Sequence, residues 1–293
     1  MLNRQKVLLA LLGTADRPVS KIELMKWCFL LRHEATTSGG SAFYEFLPYH
    51  FGPYSFTLTR ELDDLVATGY VREDGERLLR TELPARGGRL PARVETDAAQ
   101  LIRRFGSFSV EALLDHVYGR HPQFTMNSRR QRLTERPVGE EMVYTVGYEG
   151  RQVDDFLWVL ISAGVGRLID VRNNPIARRY GFHKSTLTRL CTAVGIEYVH
   201  VPELGIKSAD RRGIDTQTDR DHLFTSYTSA TIPSQEEAVR RVVGWMTERP
   251  SALMCMEAAP CECHRSHLAD EVARRTGLPI RHLGVEHGRG TTD

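Results

Sequence analysis

SALMCMEAAPCECHR, residues 251–265, is the stretch on which the reading of this chain turns. Ala252 to Met256 is a short apolar run, of strand length and bounded by polar residues. A polar turn follows, then a helix that begins near His264. Three cysteines, two glutamates, a histidine and an arginine lie between Cys255 and Arg265. A strand that feeds a helix carries such groups at its C-terminal end, the edge where open parallel α/β sheets bind ligands. The stretch therefore predicts a binding or active site and leaves its substrate open.

Working outward, residues 141–293 alternate strands with helices. Val143–Val146, Arg167–Val171, Glu197–Val201 and Ile280–Leu283 join Ala252–Met256 as short apolar strands. Helices are expected over Asp154–Ala163, Lys184–Ala193, Ser234–Thr247 (with Ser234 as cap) and Arg265–Thr276, and a long polar insertion over Lys207–Asp221. That alternation predicts a parallel sheet covered by helices. Polar residues gather where the strands end: Tyr148 and Glu149 after the first, Asp170 and Arg172 at the second, and His200 at the third. Glu257, Cys263, His264 and Arg265 follow the fourth, and His282 lies near the end of the fifth. Parallel strands bring such positions to one edge.

These residues carry a resemblance. Gly147-Tyr148, Asp170-Val171-Arg172 with Pro175, Leu204-Gly205, Cys255-Met256-Glu257, Cys263-His264-Arg265 and His282-Leu283 occur in an order that resembles the domain-of-unknown-function family 488. The chain departs from that pattern at Ile176-Ala177-Arg178, where many relatives place a serine after the proline. It departs again at Ile206, where many have a second glycine. The resemblance implies the α/β fold and the strand-end cluster, and no defined chemistry.

Three chemistries fit the cluster. Cys255, Cys261, Cys263 and His264 form C-x5-C-x-C-H, a spacing unlike the paired ligands of structural zinc. No metal or other cofactor is expected, and the purified chain should hold well under one zinc. Cys263 at a helix start beside His264 and Arg265 is a candidate nucleophile, because a helix dipole and nearby cations favour the thiolate. Third, Asp170 and Glu257 are candidate catalytic carboxylates. Tyr148, Glu149, Arg172, Arg265 and His282 would bind substrate, the two arginines with the helix start forming a site for a phosphate-sized anion. Nucleosides and nucleotides carry both an anion and a bond that carboxylates can help cleave. Opposing the third is the plainer reading that an Asp170–Arg172 or Glu257–Arg265 ion-pair network merely holds loops.

Residues 1–85 read as helices over Asn3–Gly13, Ser20–Glu34 and from Ser55 or Thr57 to Gly69, then a hairpin over Tyr70–Leu83 turning at Asp74-Gly75. Ser20 with Glu23 makes a capping box. Three helices and a hairpin are the order of a winged helix-turn-helix. Phe43-Tyr44, Pro48-Tyr49, Gly52-Pro53-Tyr54-Ser55 and Gly69-Tyr70-Val71 resemble a winged-helix module of bacterial prophage and defence proteins. Glu61, Asp63 and Asp64 against Arg60 on the third helix suit a protein contact better than a phosphate backbone. The aromatics Phe43, Tyr44, Phe46, Tyr49, Phe51, Tyr54 and Phe56 are either core or a platform for bases. Residues 86–140 read as a helical connector, with helices over Asp97–Phe105 and Ser109–Tyr118, and then a basic linker. Its Arg129, Arg130 and Arg132 are candidate nucleic-acid contacts.

The whole chain of 293 residues has a net charge of +2, which proves no nucleic-acid partner by itself. No apolar run reaches the ~18 residues of a membrane span. Five cysteines bunched toward one end do not make a disulfide framework and fit a reducing cytoplasm. The expectation is an α/β protein with domains over 1–85, 86–140 and 141–293. Its function would be a DNA- or nucleotide-directed enzyme that removes or alters a base by carboxylate-assisted glycosidic cleavage, in phage defence or DNA repair. The N-terminal domain would contact DNA or a protein partner. The alternative is a DNA-binding regulator whose α/β domain senses a ligand or oxidant. The oligomeric state is not legible in the sequence.

Overall fold

The structure, a computed structural model, describes residues 1–207, 209–210 and 216–284. The chain forms two compact units, Met1–Glu135 and Arg136–Asp293. No described helix is long and apolar enough to cross a membrane.

In the first unit, helix α1 (Asn3–Ala15) leads through the two-residue strand β1 (Val19–Ser20) into α2 (Lys21–Glu34). The capping box forms: Ser20 Oγ accepts from the Glu23 amide, and Glu23 Oε2 accepts from the Ser20 amide. A small hairpin, β2 (Leu47–Tyr49) with β3 (Gly52–Tyr54), precedes α3 (Phe56–Ala67), whose cap is Ser55. Strands β4 (Val71–Asp74) and β5 (Arg77–Arg80) then form the expected hairpin, and β1 pairs with β5 to give a three-stranded antiparallel sheet. The segment read as a connector supplies α4 (Ala92–Phe105) and α5 (Val110–Arg120) to this unit's core, through Val94, Ala98, Leu101, Phe105, Leu113 and Val117. The stretch after α5 differs from a free linker. Phe124, Thr125, Met126 and Ser128 are buried, and the Arg129 amide donates to the His50 carbonyl.

In the second unit, β6 (Val143–Gly147), α6 (Val153–Ser162), β7 (Arg167–Asp170), α7 (Lys184–Ala193) and β8 (Glu197–His200) follow the expected alternation. Next come α8 (Gln217–Ser226), a wider turn of helix over Tyr227–Thr231, the short α9 (Ile232–Ser234) and α10 (Glu236–Glu248). Strand β9 (Ser251–Cys255), α11 (His264–Thr276) and β10 (Ile280–Leu283) complete it. Two expectations change here. The polar insertion contains α8, while residues 208 and 211–215 of it lie outside the described residues. Gln235, and not Ser234, precedes α10, because Ser234 ends α9 with its hydroxyl donated to the Thr231 carbonyl.

The sheet is parallel throughout, in the order β10-β6-β9-β7-β8. From β6 the chain crosses by α6 to β7 on one side of β9; from β9 it crosses by α11 to β10 on the other. Right-handed crossovers in opposite directions put α6 and α11 on opposite faces. The carboxyl ends of the neighbours β6 and β9 therefore flank a crevice, the usual ligand position in such a sheet.

Candidate active site

Pairing of Gly147 with Cys255 brings the ends of β6 and β9 level. The chain beyond them stays together, since the amides of Tyr148 and Glu149 both donate to the Met256 carbonyl, at 3.1 and 2.9 Å. Glu149 Oε2 accepts from the Ala258 amide at 3.1 Å. Only glycine fits at 147. A Cβ there would lie 1.9 Å from the Glu257 carbonyl oxygen. These contacts fix two carboxylate-bearing turns against each other. Glu149, Glu257, Glu262, His264 and Arg220, with Ile206, Leu223 and Phe224, line one cavity of about 260 Å³. Among the described residues, three carboxylates and one arginine line it.

Of the residues gathered at the strand ends, Glu149, Glu257 and His264 line this cavity, while Asp170, Arg172, Cys263 and Arg265 are buried outside its lining. Asp170 is 0 % and Arg172 5 % exposed. The Asp170 carboxylate accepts from the Arg172 amide at 3.0 Å, from Arg172 Nε and Nη2 at 2.9 and 2.6 Å, and from the Tyr198 hydroxyl at 2.6 Å. Arg172 also donates to the Phe182 carbonyl and to the Tyr148 hydroxyl, and the Tyr148 ring stacks on Phe182. Arg265 donates to the carbonyls of Glu257 and Ala258, the second at 3.1 Å. This corrects the expectation of an anion site. Both guanidinium groups are buried and donate to protein oxygens, Arg265 through its two terminal nitrogens as a clamp on the turn that carries Glu257. The expected Glu257–Arg265 ion pair is, in the bonds the arginine makes, a contact with the Glu257 backbone. His282 faces Thr145 across β10 and β6, with its Nδ1 2.7 Å from the threonine hydroxyl. His200 Nε2 lies 2.8 Å from the Arg172 carbonyl.

The cysteines divide. Cys261 is exposed, while Cys255 and Cys263 are buried. Cys263 caps α11 in extended conformation (φ −137°, ψ 134°) and His264 is the first helical residue. That change of backbone lets two adjacent side chains meet Cys255. His264 Nδ1 lies 3.8 Å from Cys255 Sγ and 4.0 Å from Cys263 Sγ. Its Nε2 lies 3.2 Å from the Val171 carbonyl. The neighbouring Cys263 side chain, assisted by His264, pulls the Cys255 thiol below the ordinary range against its burial. Burial, and then the bond to Cys255, pushes Cys263 well above the ordinary thiol range. Cys263, the expected nucleophile, is buried at the start of α11 beside Cys255. The donor atoms of Cys255, Cys263 and His264 all lie within 4.8 Å of one another.

Sequence reading did not single out Arg220, Leu223 or Phe224, which α8 presents to the cavity. Their spacing with the buried Tyr227, at i, i+3, i+4 and i+7, is the helical signal that marks one face.

The expected nucleic-acid contacts lie in the first unit. Arg129, Arg130 and Arg132 are exposed. Arg130 pairs with Asp115 at 2.7 Å, and Arg132 Nε donates to the Ser128 carbonyl at 3.3 Å. Of the aromatics weighed as a platform for bases, Phe43, Tyr44 and Phe46 are core, and Phe51 is exposed. Glu61 is also internal, held by Arg4 and the Tyr44 hydroxyl.

No curated protein and no solved structure matches the chain. The pattern Asp170-Val171-Arg172, Leu204-Gly205, Cys255-Met256-Glu257 and Cys263-His264-Arg265 lies inside a span with a family match, whereas Gly147-Tyr148 and His282-Leu283 lie outside it. Residues 152–272, the greater part of the α/β unit, match the family described as domain of unknown function DUF488.

Proposed function

We propose that the α/β unit is a hydrolytic enzyme that removes or alters a base of a nucleic acid or nucleotide, with Glu257 as its proton-transferring carboxylate. The observation that carries this reading is the shared cavity. Glu149 and Glu257, from the ends of adjacent strands, open on it together with His264. A heterocyclic base has apolar faces and an edge of N–H donors. The cavity matches both, with Ile206, Leu223 and Phe224 as apolar wall and carboxylates as acceptors. A carboxylate so placed can activate water, or stabilise the cationic sugar formed when a glycosidic bond breaks. Asp170, Arg172 and Arg265 then act as positioning residues that hold the strand-end turns.

The first unit would bring this site to DNA or to a protein partner. The order α1, β1, α2, α3, β4, β5 supports the winged-helix reading, with the β2–β3 hairpin inserted before α3. The exposed Asp63 and Asp64 on α3 favour a protein partner for that helix, and Arg129, Arg130 and Arg132 are the groups suited to a phosphate backbone. The closeness of the buried Cys255 and Cys263, whose sulfurs lie within 4.8 Å, favours a second reading, a regulator that senses an oxidant or ligand and turns nothing over.

The test is incubation of the full chain with nucleosides, nucleotides and DNA bearing natural and modified bases, read by mass spectrometry. Glu257→Gln keeps the size of the side chain and removes its charge, and should abolish product formation with the fold unchanged by circular dichroism. Binding without turnover of any of these substrates would favour the regulator.

A further inference from the structure

Cys255, Cys263 and His264 meet although their spacing argues against metal closure, and this cluster carries the inference. We propose that they bind one zinc ion through two thiolates and the imidazole Nδ1, leaving a fourth coordination position for water. Zinc–sulfur and zinc–nitrogen bonds of about 2.3 and 2.0–2.1 Å at a tetrahedral angle put sulfur and nitrogen about 3.6 Å apart. The distances here are 3.8 and 4.0 Å, a few tenths of an ångström from that spacing.

The imidazole is already oriented as a ligand. A carbonyl oxygen only accepts, so the contact of His264 Nε2 with the Val171 carbonyl at 3.2 Å places the proton on Nε2. The Nδ1 lone pair is left toward the two sulfurs. A backbone carbonyl on the far nitrogen is the usual outer partner of a metal-bound histidine. That carbonyl is fixed in turn. Gly205 packs so closely that a Cβ there would lie 2.7 Å from the Val171 oxygen. Two thiolates with an imidazole select zinc over the hard cations magnesium and calcium. Three protein ligands are the mark of a catalytic zinc, which keeps a position open.

His264 lines the cavity together with Glu257, so the open position has a way to substrate. The zinc would lower the pKa of its water. Glu257 would then take one proton from that water, leaving a zinc-bound hydroxide and a neutral carboxyl. This role for the metal rests on the cavity being the active site; the binding of zinc does not, and the two are measured separately.

The competing arrangement is a pair of thiol hydrogen bonds with no metal. The full chain, purified under reducing conditions with zinc supplied, should hold one zinc per chain by elemental analysis. Cys255→Ser and Cys263→Ser should each lose it, and Cys261→Ser should keep it. In the wild-type chain, cobalt(II) added after the zinc has been removed with a chelator should give a thiolate-to-cobalt charge-transfer band with the intense visible bands of a tetrahedral site, and zinc should abolish both. That measurement needs no folded variant. Absence of stoichiometric metal, or cobalt bound without the charge-transfer band, overturns the site. Stoichiometric zinc in a chain whose Glu257→Gln variant still turns substrate over keeps the site and removes the active-site reading.

Discussion

Replacing Gly147 with alanine tests how the two carboxylate turns are held. The new Cβ would lie 1.9 Å from the Glu257 carbonyl oxygen, 2.8 Å from its carbonyl carbon and 3.1 Å from the Ala258 Cα. The obstacle is backbone, so no rotamer change relieves it. Ordinary contact at about 3–3.5 Å requires the Glu257–Ala258 peptide to move by about 1 Å or more. That peptide is held by Arg265 through both carbonyls and by Glu149 through the Ala258 amide. The movement therefore strains three hydrogen bonds and displaces Glu257. Overpacking of this kind costs about 1–3 kcal/mol. At about 2–4 °C per kcal/mol for a unit of this size, melting of the α/β unit should fall by about 2–12 °C. Misplacing a reacting group by about 1 Å costs on the order of a hundredfold in rate. The assay is a calorimetric melt of the full chain, with turnover of whatever substrate the wild-type chain accepts. Gly147→Ala with unchanged melting and unchanged turnover would refute the close approach of β6 to the Glu257 turn.

Three further outcomes are expected. Asp170→Asn leaves the Arg172 guanidinium buried without its counter-charge and should cost about 3–5 kcal/mol in the α/β unit; a loss in urea unfolding below about 1 kcal/mol would show that the pair is dispensable. Burial lowers Lys26, whose Nζ donates to the Pro53 carbonyl at 2.7 Å, to about 7, against about 10.4 when unfolded. Between these values the unfolded chain holds the extra proton, so the first unit should gain stability as pH rises from about 7 to about 10. Lys26→Met should remove that gain, and a wild-type unfolding midpoint that is flat over this range, or identical slopes in the two chains, would count against it. Replacing Arg129, Arg130 and Arg132 together with alanine should flatten the salt dependence of any duplex binding by about 1.8 rather than about 2.7, because Arg130 is engaged with Asp115; an unchanged slope in a salt titration places the contact elsewhere.

Local signals were legible where one residue type does one local job. Ser20 with Glu23 caps α2 as expected; Ser55, one of the two expected starts, caps α3, and Ser109, where a connector helix was expected to begin, caps α5. The five strands of the α/β unit lie within a residue or so of where their runs put them; the central β6, β7 and β9 are buried at every position, which favours apolar residues along a strand. The start of α10 was misplaced, because Ser234 is equally able to close the preceding turn. Helix α8 was hidden in a polar stretch whose helical cues are the capping pair Thr216 and Asp219 and the spacing of Arg220, Leu223, Phe224 and Tyr227.

By itself the sequence determined that strands and helices alternate, and that Glu149, Asp170, Glu257, Cys263 and His264 sit at strand ends. Periodicity and caps are properties of neighbours in the chain. Tertiary structure alone decided what those groups do to one another. Asp170 and Arg172 pair in the interior, and Arg265 turns back onto the Glu257 turn. Glu149 and Glu257 reach the cavity because β9 inserts between β6 and β7. Spacing along the chain counted four metal-ligand candidates and found them poorly arranged. The fold leaves Cys261 outside and joins Cys255 to Cys263 and His264, because a strand end and a helix start converge there in space. Charge and donor type are written in the sequence. Burial and distance decide whether a charged group is a catalyst, a clamp or a ligand, and those depend on strand order and on which face each crossover takes.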